Sequence, residues 1–546
     1  AAGFTINGVP SNNQYVEATG SIAHIAAAFG VNLGQYHVKG KVLRSADRNL
    51  SVPASLAGIV SGVIGVDQAL SLLHPLNTTG NNAPGTSPAA SASPRKGIPL
   101  PGGFRNAPPC SAYWAQATAT IPNYPPYGTK VPYAPCGYKP PQLRAAYGFD
   151  SVVSKGVDGT GTTVAIVDAF ASPTILADAQ TYASRNDPTH PLTTKQFKQL
   201  VFKPTHSLIG PCDASGWFGE ETLDVEAVHA MAPGANILFV GGSDCTSISL
   251  DKAVNAIVAD HLAQIVSNSY GDLGEDIPAD EVSAFTNIAV QAGMEGIGLY
   301  FSSGDNGDES TTLKSPSADF SASSPWVTAV GGTSIGIGAD GHRVLETGWE
   351  TTKSTLKKNG KWKPPTPDAF LYGSGGGTSR LFAEPAYQEG VVPDALTRVN
   401  QVPGRHGRVV PDVSLDGDPN TGMLVGQTQV FPEGTKYDEY RIGGTSLSSP
   451  LFAGIMALAD QNSGVAHGFV NPMLYDNAGT AAFNDVTHVK AADVRVDYLN
   501  GIDATNGTVV SIRGFDFQGL TIKTTPGYDN VTGLGTPNGK SFLARL

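Results

Sequence analysis

The chain has 546 residues, of which 15% are charged, and a formal net charge of −12 at pH 7. A chain of this length holds one large domain with appendages or several domains, and its acidic balance gives no electrostatic reason to bind nucleic acid or an anionic membrane. Its longest apolar stretch, residues 54–66, is shorter than the ~18 residues that a membrane-spanning helix needs, so we expect no transmembrane span.

Two N-terminal parts of the chain differ in composition. Residues 1–75 combine an amphipathic run at 22–29 with alternating, strand-like residues at 35–44, which predicts a small α+β unit. Residues 76–109 are rich in Asn, Thr, Gly, Pro, Ala and Ser and carry almost no large apolar side chain. Such a composition is typical of a flexible linker that proteases can reach.

Residues 110–546 alternate short apolar runs with segments long enough for helices, which predicts a parallel α/β sheet. The predicted strands are 163–167, 237–240, 264–267, 297–302 and 326–330. The four cysteines form two pairs that are close in sequence, Cys110 with Cys136 and Cys212 with Cys245. This spacing suits two disulfides in an oxidising compartment, with two reduced pairs as the alternative.

A predicted helix that ends before Pro233 carries two acids one turn apart, Glu220 and Asp224. Both acids fall on the apolar face of this helix, whereas His229 falls on the opposite face. Burying a carboxylate is costly unless it is protonated, shared or functional, so we favour a pair of catalytic acids over a solvated pair.

Two further positions suggest catalytic chemistry. Ser446 follows a Gly-Gly-Thr stretch and precedes an apolar helical run, so the free N–H groups of the helix start lie beside its hydroxyl. This arrangement fits either a nucleophile with an oxyanion donor or an ordinary helix cap. Asp305 lies between Gly304 and Asn306 just after a predicted strand, where an isolated Asp is usually a turn former.

Taken together, these segments resemble the sedolisin (serine-carboxyl peptidase) family, whose sheet is similar to that of subtilisin. The helix with Glu220 and Asp224 matches the family's Glu-x-x-x-Asp motif. The turn at Asp305 matches its Ser-x-Gly-Asp motif, and Ser446 matches its Gly-Thr-Ser-x-x-x-Pro motif. Further matches are SNSYG at 267–271, SSPWVTAVGGTS at 323–334, GSGGGTS at 373–379 and TGLGTP at 532–537.

The resemblance implies a fold and a set of catalytic roles. The fold is a subtilisin-like α/β fold, with a parallel sheet flanked by helices and a small α+β propeptide segment before it. Ser446 is then the acyl-forming nucleophile, Glu220 its general base, and Asp224 the residue that orients Glu220 and shares its proton. Asp305 is then a protonated hydrogen-bond donor in the oxyanion hole. Asp168 is either an outer hydrogen-bonding member of these acids or a turn residue.

We therefore expect an acid-active endopeptidase that hydrolyses peptide bonds through an acyl-enzyme. The alternatives are a tripeptidyl-peptidase of the same family and a catalytically silent, propeptide-bound zymogen. A neutral subtilase is disfavoured, because it needs a His base and His229 faces away from the two acids. The chain departs from the family at Gly443, where Ser is usual, and at Tyr270, where Trp is commoner.

Residues 28–45 and 51–68 resemble the C-terminal half of the family's propeptide. We therefore divide the chain into a propeptide segment at 1–75, a linker with the maturation site at 76–109, and a catalytic peptidase domain at 110–546. The expected partners are peptide or protein substrates and the chain's own propeptide. We expect a secreted monomer that binds neither nucleic acid nor membrane.

The resemblance also implies one Ca²⁺ site near the C-terminus of the catalytic domain. Its ligands are the carboxylates of Asp485 and Asp529 and the backbone carbonyls of Val486, Thr525 and Gly527. Hard oxygen ligands of this kind are what Ca²⁺ requires. Thr525 replaces the usual Gly of the family, a change that matters little if only its carbonyl binds.

Overall fold

A computed structural model describes residues 3–38, 41–67, 72–77, 97–106, 108–365, 369–399, 402–497 and 509–546. The α-helices of these residues are α1 (Ile22–Phe29), α2 (Pro140–Ala146), α3 (Asp150–Val153), α4 (Ile175–Asn186), α5 (Ala214–Met231), α6 (Ser247–Ala259), α7 (Ala279–Met294), α8 (Ser310–Leu313), α9 (Asp394–Thr397), α10 (Thr445–Ser463), α11 (Asn471–Asp476) and α12 (Gly539–Leu543). Short 3₁₀ helices cover Ala54–Leu56 and His206–Leu208.

The strands of the described residues follow the same chain order. They are β1 (Thr5–Gly8), β2 (Glu17–Thr19), β3 (Leu33–Val38), β4 (Lys41–Ala46), β5 (His74–Pro75), β6 (Thr118–Tyr124), β7 (Gly128–Pro132), β8 (Thr163–Ala169), β9 (Phe197–Val201), β10 (Asn236–Gly242), β11 (Ile265–Asn268), β12 (Tyr270–Gly271), β13 (Gly298–Ser302), β14 (Thr328–Ile337), β15 (Arg343–Gly348), β16 (Glu350–Leu356), β17 (Trp362–Lys363), β18 (Ala369–Gly373), β19 (Gly377–Ala383), β20 (Gly407–Val410), β21 (Val413–Asp416), β22 (Met423–Phe431), β23 (Gly434–Ile442), β24 (Phe483–Asn484), β25 (Asp493–Asp497), β26 (Val510–Gly514) and β27 (Thr536–Pro537).

The central sheet has the strand order β15-β14-β13-β11-β8-β10-β9, with β21 beside β14. Strands β9, β10, β8, β11, β13 and the start of β14 are parallel, while β15 joins β14 antiparallel. Parallel strands are covered on both faces by helices, so their sequences are apolar throughout rather than alternating. This confirms the predicted α/β fold with a parallel sheet flanked by helices.

The two faces of the sheet pack into separate apolar clusters. Along β8, Val164 and Ile166 lie in the cluster that contains most of the apolar residues of α5 and those of α10. The intervening Ala165 and Val167 lie in the cluster that contains those of α6 and α7. Helices α5 and α10 therefore cover one face of the central sheet, and α6 and α7 cover the other.

The N-terminal unit, β1 to β4 with α1, packs on α6 and α7. Ser11 Oγ donates to Asp260 Oδ1 at 2.7 Å, and the Val63 N–H donates to Asp280 Oδ2 at 3.0 Å. Lys252 and Glu17 form an ion pair across the same contact at 2.9 Å. The predicted α+β unit therefore lies against the helical side of the main body.

Two peripheral features complete the fold. A second sheet has the order β17-β16-β26-β25, with β18 beside β16, and β22 and β23 form a long hairpin. Residues 97–106 lie along this hairpin, where the Val430 N–H donates to the Pro101 carbonyl at 2.9 Å. Residues 78–96 of the predicted linker lie outside the described residues.

The predicted cysteine pairing is confirmed, with disulfides Cys110–Cys136 and Cys212–Cys245. A search of the described helices finds none with the length and apolar character needed to cross a membrane.

Candidate active site

The candidate site lies at the edge of the central sheet where its parallel strands end. Asp168 lies near the end of β8, Ser269 directly follows β11, and Asp305 follows β13. Helices α5 and α10 pack against each other beside this edge. They bring Glu220 and Ser446, which are distant in sequence, to the same place.

Three buried acids, Asp168, Glu220 and Asp224, lie together here and are called the acid set below. Asp224 Oδ1 accepts a hydrogen bond from Ser269 Oγ at 2.9 Å. Burial raises the pKa of Asp168 well above its usual range, and the nearby carboxyls of Asp224 and Glu220 raise it further. Asp168 is therefore a strand residue near the acid pair and not a turn residue, and neither of its carboxyl oxygens has a hydrogen-bond partner among the described residues.

Within the acid set, Glu220 is the member most favoured to carry a negative charge. Burial raises the pKa of both Glu220 and Asp224, and the two groups interact. A hydrogen bond from Asn77 and the nearby hydroxyl of Ser446 oppose this rise at Glu220, whereas Asp224 accepts a hydrogen bond from Ser269. Because hydrogen bonds to a carboxylate favour its ionised form, Glu220, whose pKa burial raises to about 8, is the first acid of the set to ionise as the pH rises.

Ser446 lies in the first turn of α10 with its backbone N–H exposed to the cleft. That N–H donates to the Leu76 carbonyl at 3.0 Å, and the Ser446 hydroxyl donates to the Ser269 carbonyl at 3.3 Å. Gly444, just before the helix, has φ +112°, and a Cβ there would lie 2.1 Å from the Leu76 oxygen. Glycine at this position therefore leaves the room that a carbonyl needs beside Ser446.

Asp305 is held by one carboxyl oxygen and presents the other to the cleft. Its Oδ1 accepts from the Thr445 N–H at 2.8 Å and from Thr445 Oγ1 at 2.9 Å. Its Oδ2 has no hydrogen-bond partner among the described residues. This oxygen would lie 2.8 Å from a Cβ placed on Gly444, which would also lie 2.1 Å from the Leu76 carbonyl oxygen. Burial raises the pKa of Asp305 to about 8, so in this filled cleft the carboxyl is protonated below that pH.

Residues 72–77, called the cleft segment below, lie across this site in an extended conformation. Strand β5 within the segment pairs antiparallel with β12, and the Leu76 N–H donates to the Ser269 carbonyl at 3.2 Å. On the other edge, the Leu73 N–H donates to the Cys245 carbonyl at 2.8 Å. Asn77 Nδ2 donates to Glu220 Oε2. The carbonyl of Leu76 thus lies beside Ser446 as the carbonyl of a bound peptide would.

The sequence did not predict that residues 72–77 occupy the site or that Asn77 contacts Glu220. One signal was present, because the run Leu-Leu-His-Pro-Leu at 72–76 is the last apolar stretch before the predicted linker. An apolar, proline-containing run of this kind adopts an extended conformation readily. Nothing in it identifies the strand with which it pairs.

His229 lies on α5 but away from the cleft. Its Nε2 is 2.9 Å from the His190 carbonyl oxygen, and burial lowers its pKa to about 4. The predicted orientation of His229 away from Glu220 and Asp224 agrees with this placement. A histidine base is therefore not available to Ser446 from α5.

The five predicted calcium ligands lie on two loops that touch. Both oxygens of Asp485 are 3.1 Å from the Gly527 N–H, and Asp529 Oδ2 accepts from the Thr525 N–H at 3.0 Å. No group of three or more His, Cys, Asp or Glu side chains suited to a metal ion occurs among the residues that the structure describes. The predicted set has only two such side chains, so its other ligands would be carbonyl oxygens.

Comparisons with known proteins match both parts of the chain. The sequence pattern of the subtilase family matches residues 211–485, and that of the pro-kumamolisin activation domain matches residues 1–69. Kumamolisin from Bacillus sp. (strain MN-32) is 28% identical over 97% of this chain and 78% of its own length. Tripeptidyl-peptidase 1 from Canis lupus familiaris is 30% identical over 60% of this chain and 51% of its own length.

A solved structure resembles the fold described above. It is Pseudomonas sedolisin, a serine-carboxyl proteinase complexed with two molecules of pseudo-iodotyrostatin. The two chains are 25% identical, with a TM-score of 0.55 over 75% of this chain and 97% of that one.

Proposed function

The chain belongs to the subtilase family as a sedolisin-type serine-carboxyl peptidase with a propeptide, and on that premise we propose that it is an acid-active endopeptidase. The observation that carries the proposal is the Leu76 carbonyl, which accepts a hydrogen bond from the Ser446 N–H and lies, like Asp305 Oδ2, beside Gly444. A carbonyl held between two such groups is placed for attack by a nearby hydroxyl.

In the proposed reaction, Ser446 Oγ attacks the carbonyl carbon while Glu220 takes the hydroxyl proton. The negative charge that develops on the carbonyl oxygen is stabilised by the Ser446 N–H and by the protonated Asp305. Glu220 then gives the proton to the leaving amine, and an acyl-enzyme remains on Ser446. Water, activated by Glu220, hydrolyses this ester and restores the free enzyme.

Asp224 and Asp168 act behind Glu220 in this proposal. Asp224 interacts electrostatically with Glu220, one helical turn away, so it orients the base and shares the proton that the base receives. Asp168 adds another buried carboxyl near Asp224, and both of its oxygens are without hydrogen-bond partners among the described residues. Protons held on Asp168 and Asp224 avoid burying three negative charges together.

An endopeptidase is favoured over a tripeptidyl-peptidase by the length of chain that the cleft accepts. Counting back from Leu76, the third residue is His74, and a tripeptide would end there. The chain continues to Leu73, whose N–H donates to the Cys245 carbonyl, and to Leu72, which pairs with Thr246. The cleft thus binds at least five residues before the bond at Ser446.

We expect the protein to cut itself between Leu76 and Asn77, inside the linker region predicted from composition. Incubated near pH 4, the full chain should release an intact fragment 1–76 and leave a catalytic part that begins at Asn77. Mass spectrometry of the fragment and N-terminal sequencing of the remainder measure both products. The Ser446→Ala chain is the control and should stay whole.

Further trimming of the new N-terminus should stop before residue 97, because residues 97–106 lie along the β22–β23 hairpin. A mature start within residues 1–70, or one beyond Cys136, would contradict the assigned bond. Release of successive tripeptides from the N-terminus would instead favour the tripeptidyl-peptidase alternative.

We also propose one Ca²⁺ ion at the two C-terminal loops. Asp485 and Asp529 supply carboxylate oxygens there, and Val486, Thr525 and Gly527 supply carbonyl oxygens, a set that fits the hard-ligand preference of Ca²⁺. Burial raises the pKa of Asp529 to about 7, and a bound cation would favour its charged form. The ion would link the loop after β24 to the loop before β27.

Removing calcium with a chelator at neutral pH should lower the melting temperature of the protein by several degrees. An ion that binds only the native state stabilises it by about 2.7 kcal/mol at a free concentration of 100 Kd. Thermal unfolding with and without chelator measures the effect. The Asp485→Asn variant should unfold at a lower temperature than the parent and respond less to the chelator. Identical melting curves for the parent with and without chelator would count against the site.

The remaining proposals concern surroundings and partners. We propose a secreted, monomeric enzyme that takes peptide or protein substrates and is held as a zymogen by its own propeptide. The two disulfides support an oxidising compartment. The pairing of the cleft segment with β12 supports inhibition by the propeptide, since it fills the site that a substrate needs.

A further inference from the structure

One disulfide, Cys212–Cys245, lies beside the cleft segment. Cys245 belongs to the loop between β10 and α6, and its carbonyl accepts the Leu73 N–H at 2.8 Å. The next loop residue, Thr246, pairs with Leu72 in an antiparallel bridge. This loop therefore forms the second edge of the cleft, opposite β12. The cleft segment runs between the backbone of β12 and the backbone of this loop.

The Leu73 side chain is buried against the same region. It is 5% exposed and belongs to the apolar cluster that contains both cysteines, Trp217 and Tyr270. The cysteines themselves are 2% and 0% exposed with the segment in place. Leu73 is the fourth residue before the bond that faces Ser446, so this pocket is the S4 subsite of the cleft.

The disulfide also joins the two parts of the protein that bind and cut the peptide. Cys212 lies just before α5, the helix that carries Glu220, while Cys245 lies in the edge loop. The Cys245 N–H points to Cys212 Sγ at 3.1 Å, so the loop backbone turns around the bond. The loop is also held by the Ser243 carbonyl, which accepts from the Thr205 N–H at 2.9 Å, and by Asp244 Oδ1, which accepts from the Thr246 N–H at 3.0 Å.

We propose that the Cys212–Cys245 disulfide is the specificity-determining element of the S4 subsite and that this subsite takes a large aliphatic side chain. The bond holds the Cys245 carbonyl at the distance that a P4 N–H needs and closes the pocket that receives the P4 side chain. This inference rests on the proposed function, because it takes the bond after Leu76 as the one that is cut.

The first test compares two peptides cut by the processed enzyme. One has the sequence Leu-His-Pro-Leu before the scissile bond, as in residues 73–76, and the other has Ala in place of the first Leu. The parent should prefer the Leu peptide by about tenfold or more in kcat/KM, the selectivity typical of an apolar pocket that loses methylene groups. Equal kcat/KM values for the two peptides would overturn the S4 assignment.

The second test removes the disulfide. In the Cys212→Ser/Cys245→Ser variant, the preference for Leu should fall severalfold, mainly through a higher KM for the Leu peptide. The matched control is Cys110→Ser/Cys136→Ser, which removes the disulfide outside the cleft and should keep the parent preference. An unchanged preference in an active Cys212→Ser/Cys245→Ser enzyme would refute the role of this disulfide.

A third measurement uses native disulfides and does not depend on how that variant folds. The full-length Ser446→Ala chain keeps the cleft segment, with Leu73 bonded to the Cys245 carbonyl, whereas the processed parent does not. A phosphine reductant followed by alkylation and mass spectrometry should therefore reduce Cys212–Cys245 severalfold faster in the processed parent. The rate for Cys110–Cys136 should be the same in both proteins, as an internal control. Equal rates for Cys212–Cys245 would contradict the proposal.

These outcomes separate the inference from the proposed function. If neither peptide is turned over at any pH, the proposed function fails and the subsite proposal fails with it. If both peptides are cut after the same Leu but without regard to the fourth residue, the peptidase assignment stands and only the S4 proposal is overturned.

Discussion

Replacing Ser446 or Glu220 with alanine is expected to lower kcat by about 10⁶-fold, the loss typical of a serine peptidase without its nucleophile or base. The Ser446 N–H donates to the Leu76 carbonyl, and Glu220 is the acid whose pKa the nearby Ser446 hydroxyl lowers. Turnover of a peptide that contains residues 73–76 before the scissile bond measures the loss. Circular dichroism should show that each variant keeps the fold.

A matched control is available next to Glu220. Glu221 is on the same helix and equally buried, but its carboxylate accepts from the Ser172 N–H and from Gln199 outside the cleft. The Glu221→Gln variant should therefore keep most of the parent kcat, while Glu220→Gln should lose it. A Glu220→Ala enzyme with the parent kcat would contradict the assignment of the base.

Replacing Asp305 with alanine should lower kcat by about 10²–10³-fold, the usual loss for one oxyanion donor. Asp305→Asn is the more informative variant, because an amide donates at every pH and a carboxyl donates only while protonated. Asn can keep the geometry, since its Oδ1 can accept from Thr445 while its Nδ2 faces the cleft. Activity of Asp305→Asn should therefore persist to higher pH than in the parent.

The sign of this pH effect follows from the protonated form being the active one. Activity that depends on the Asp305 proton is present below its pKa and lost as the pH rises through it. The control is Asp308→Asn on the same turn, because the Asp308 carboxylate accepts from Ser310 and Thr521 and not from Thr445. Its pH profile should match the parent. If Asp305→Ala kept full activity with the parent profile, Asp305 would be only a turn former.

The parallel sheet was predictable from sequence because its strands are buried on both faces. Such strands are continuous apolar runs, and the runs at 163–167 and 237–240 lie within β8 and β10. The end of α5 before Pro233 was equally predictable, since proline cannot continue a helix. The carboxyl ends of parallel strands then meet at one edge, where the sequence motifs converge.

The choice of catalytic acids did not follow from helical periodicity alone. Helix α5 is buried on all sides, and Glu221 and Glu226 are as buried as Glu220 and Asp224. A buried face therefore does not distinguish the acids that line the cleft from those that bind backbone N–H groups elsewhere. The resemblance to a known family supplied that distinction, and the hydrogen bond from Asn77 of the cleft segment to Glu220 supports it.

The position of the cleft segment was beyond sequence reasoning for a different reason. Its contacts join residues far apart in the chain, such as Asn77 with Glu220 and Leu76 with Ser446. Local composition predicts an extended stretch before the linker but not its pairing partner. The S4 pocket at Leu73 follows from the same long-range pairing.

The pH dependence of peptide hydrolysis tests the central claim most directly. Asp305 is buried when the cleft is filled, and this burial is the main cause of its raised pKa. The pH dependence of kcat reports the filled cleft, so kcat should fall as the pH rises through about 8. The pH dependence of kcat/KM reports the free enzyme, so kcat/KM should fall at a lower pH. Both should be largest in acid, where Asp305 is protonated. An optimum near pH 8, with activity lost in acid around the ~6.5 of an ordinary histidine, would contradict the serine-carboxyl mechanism.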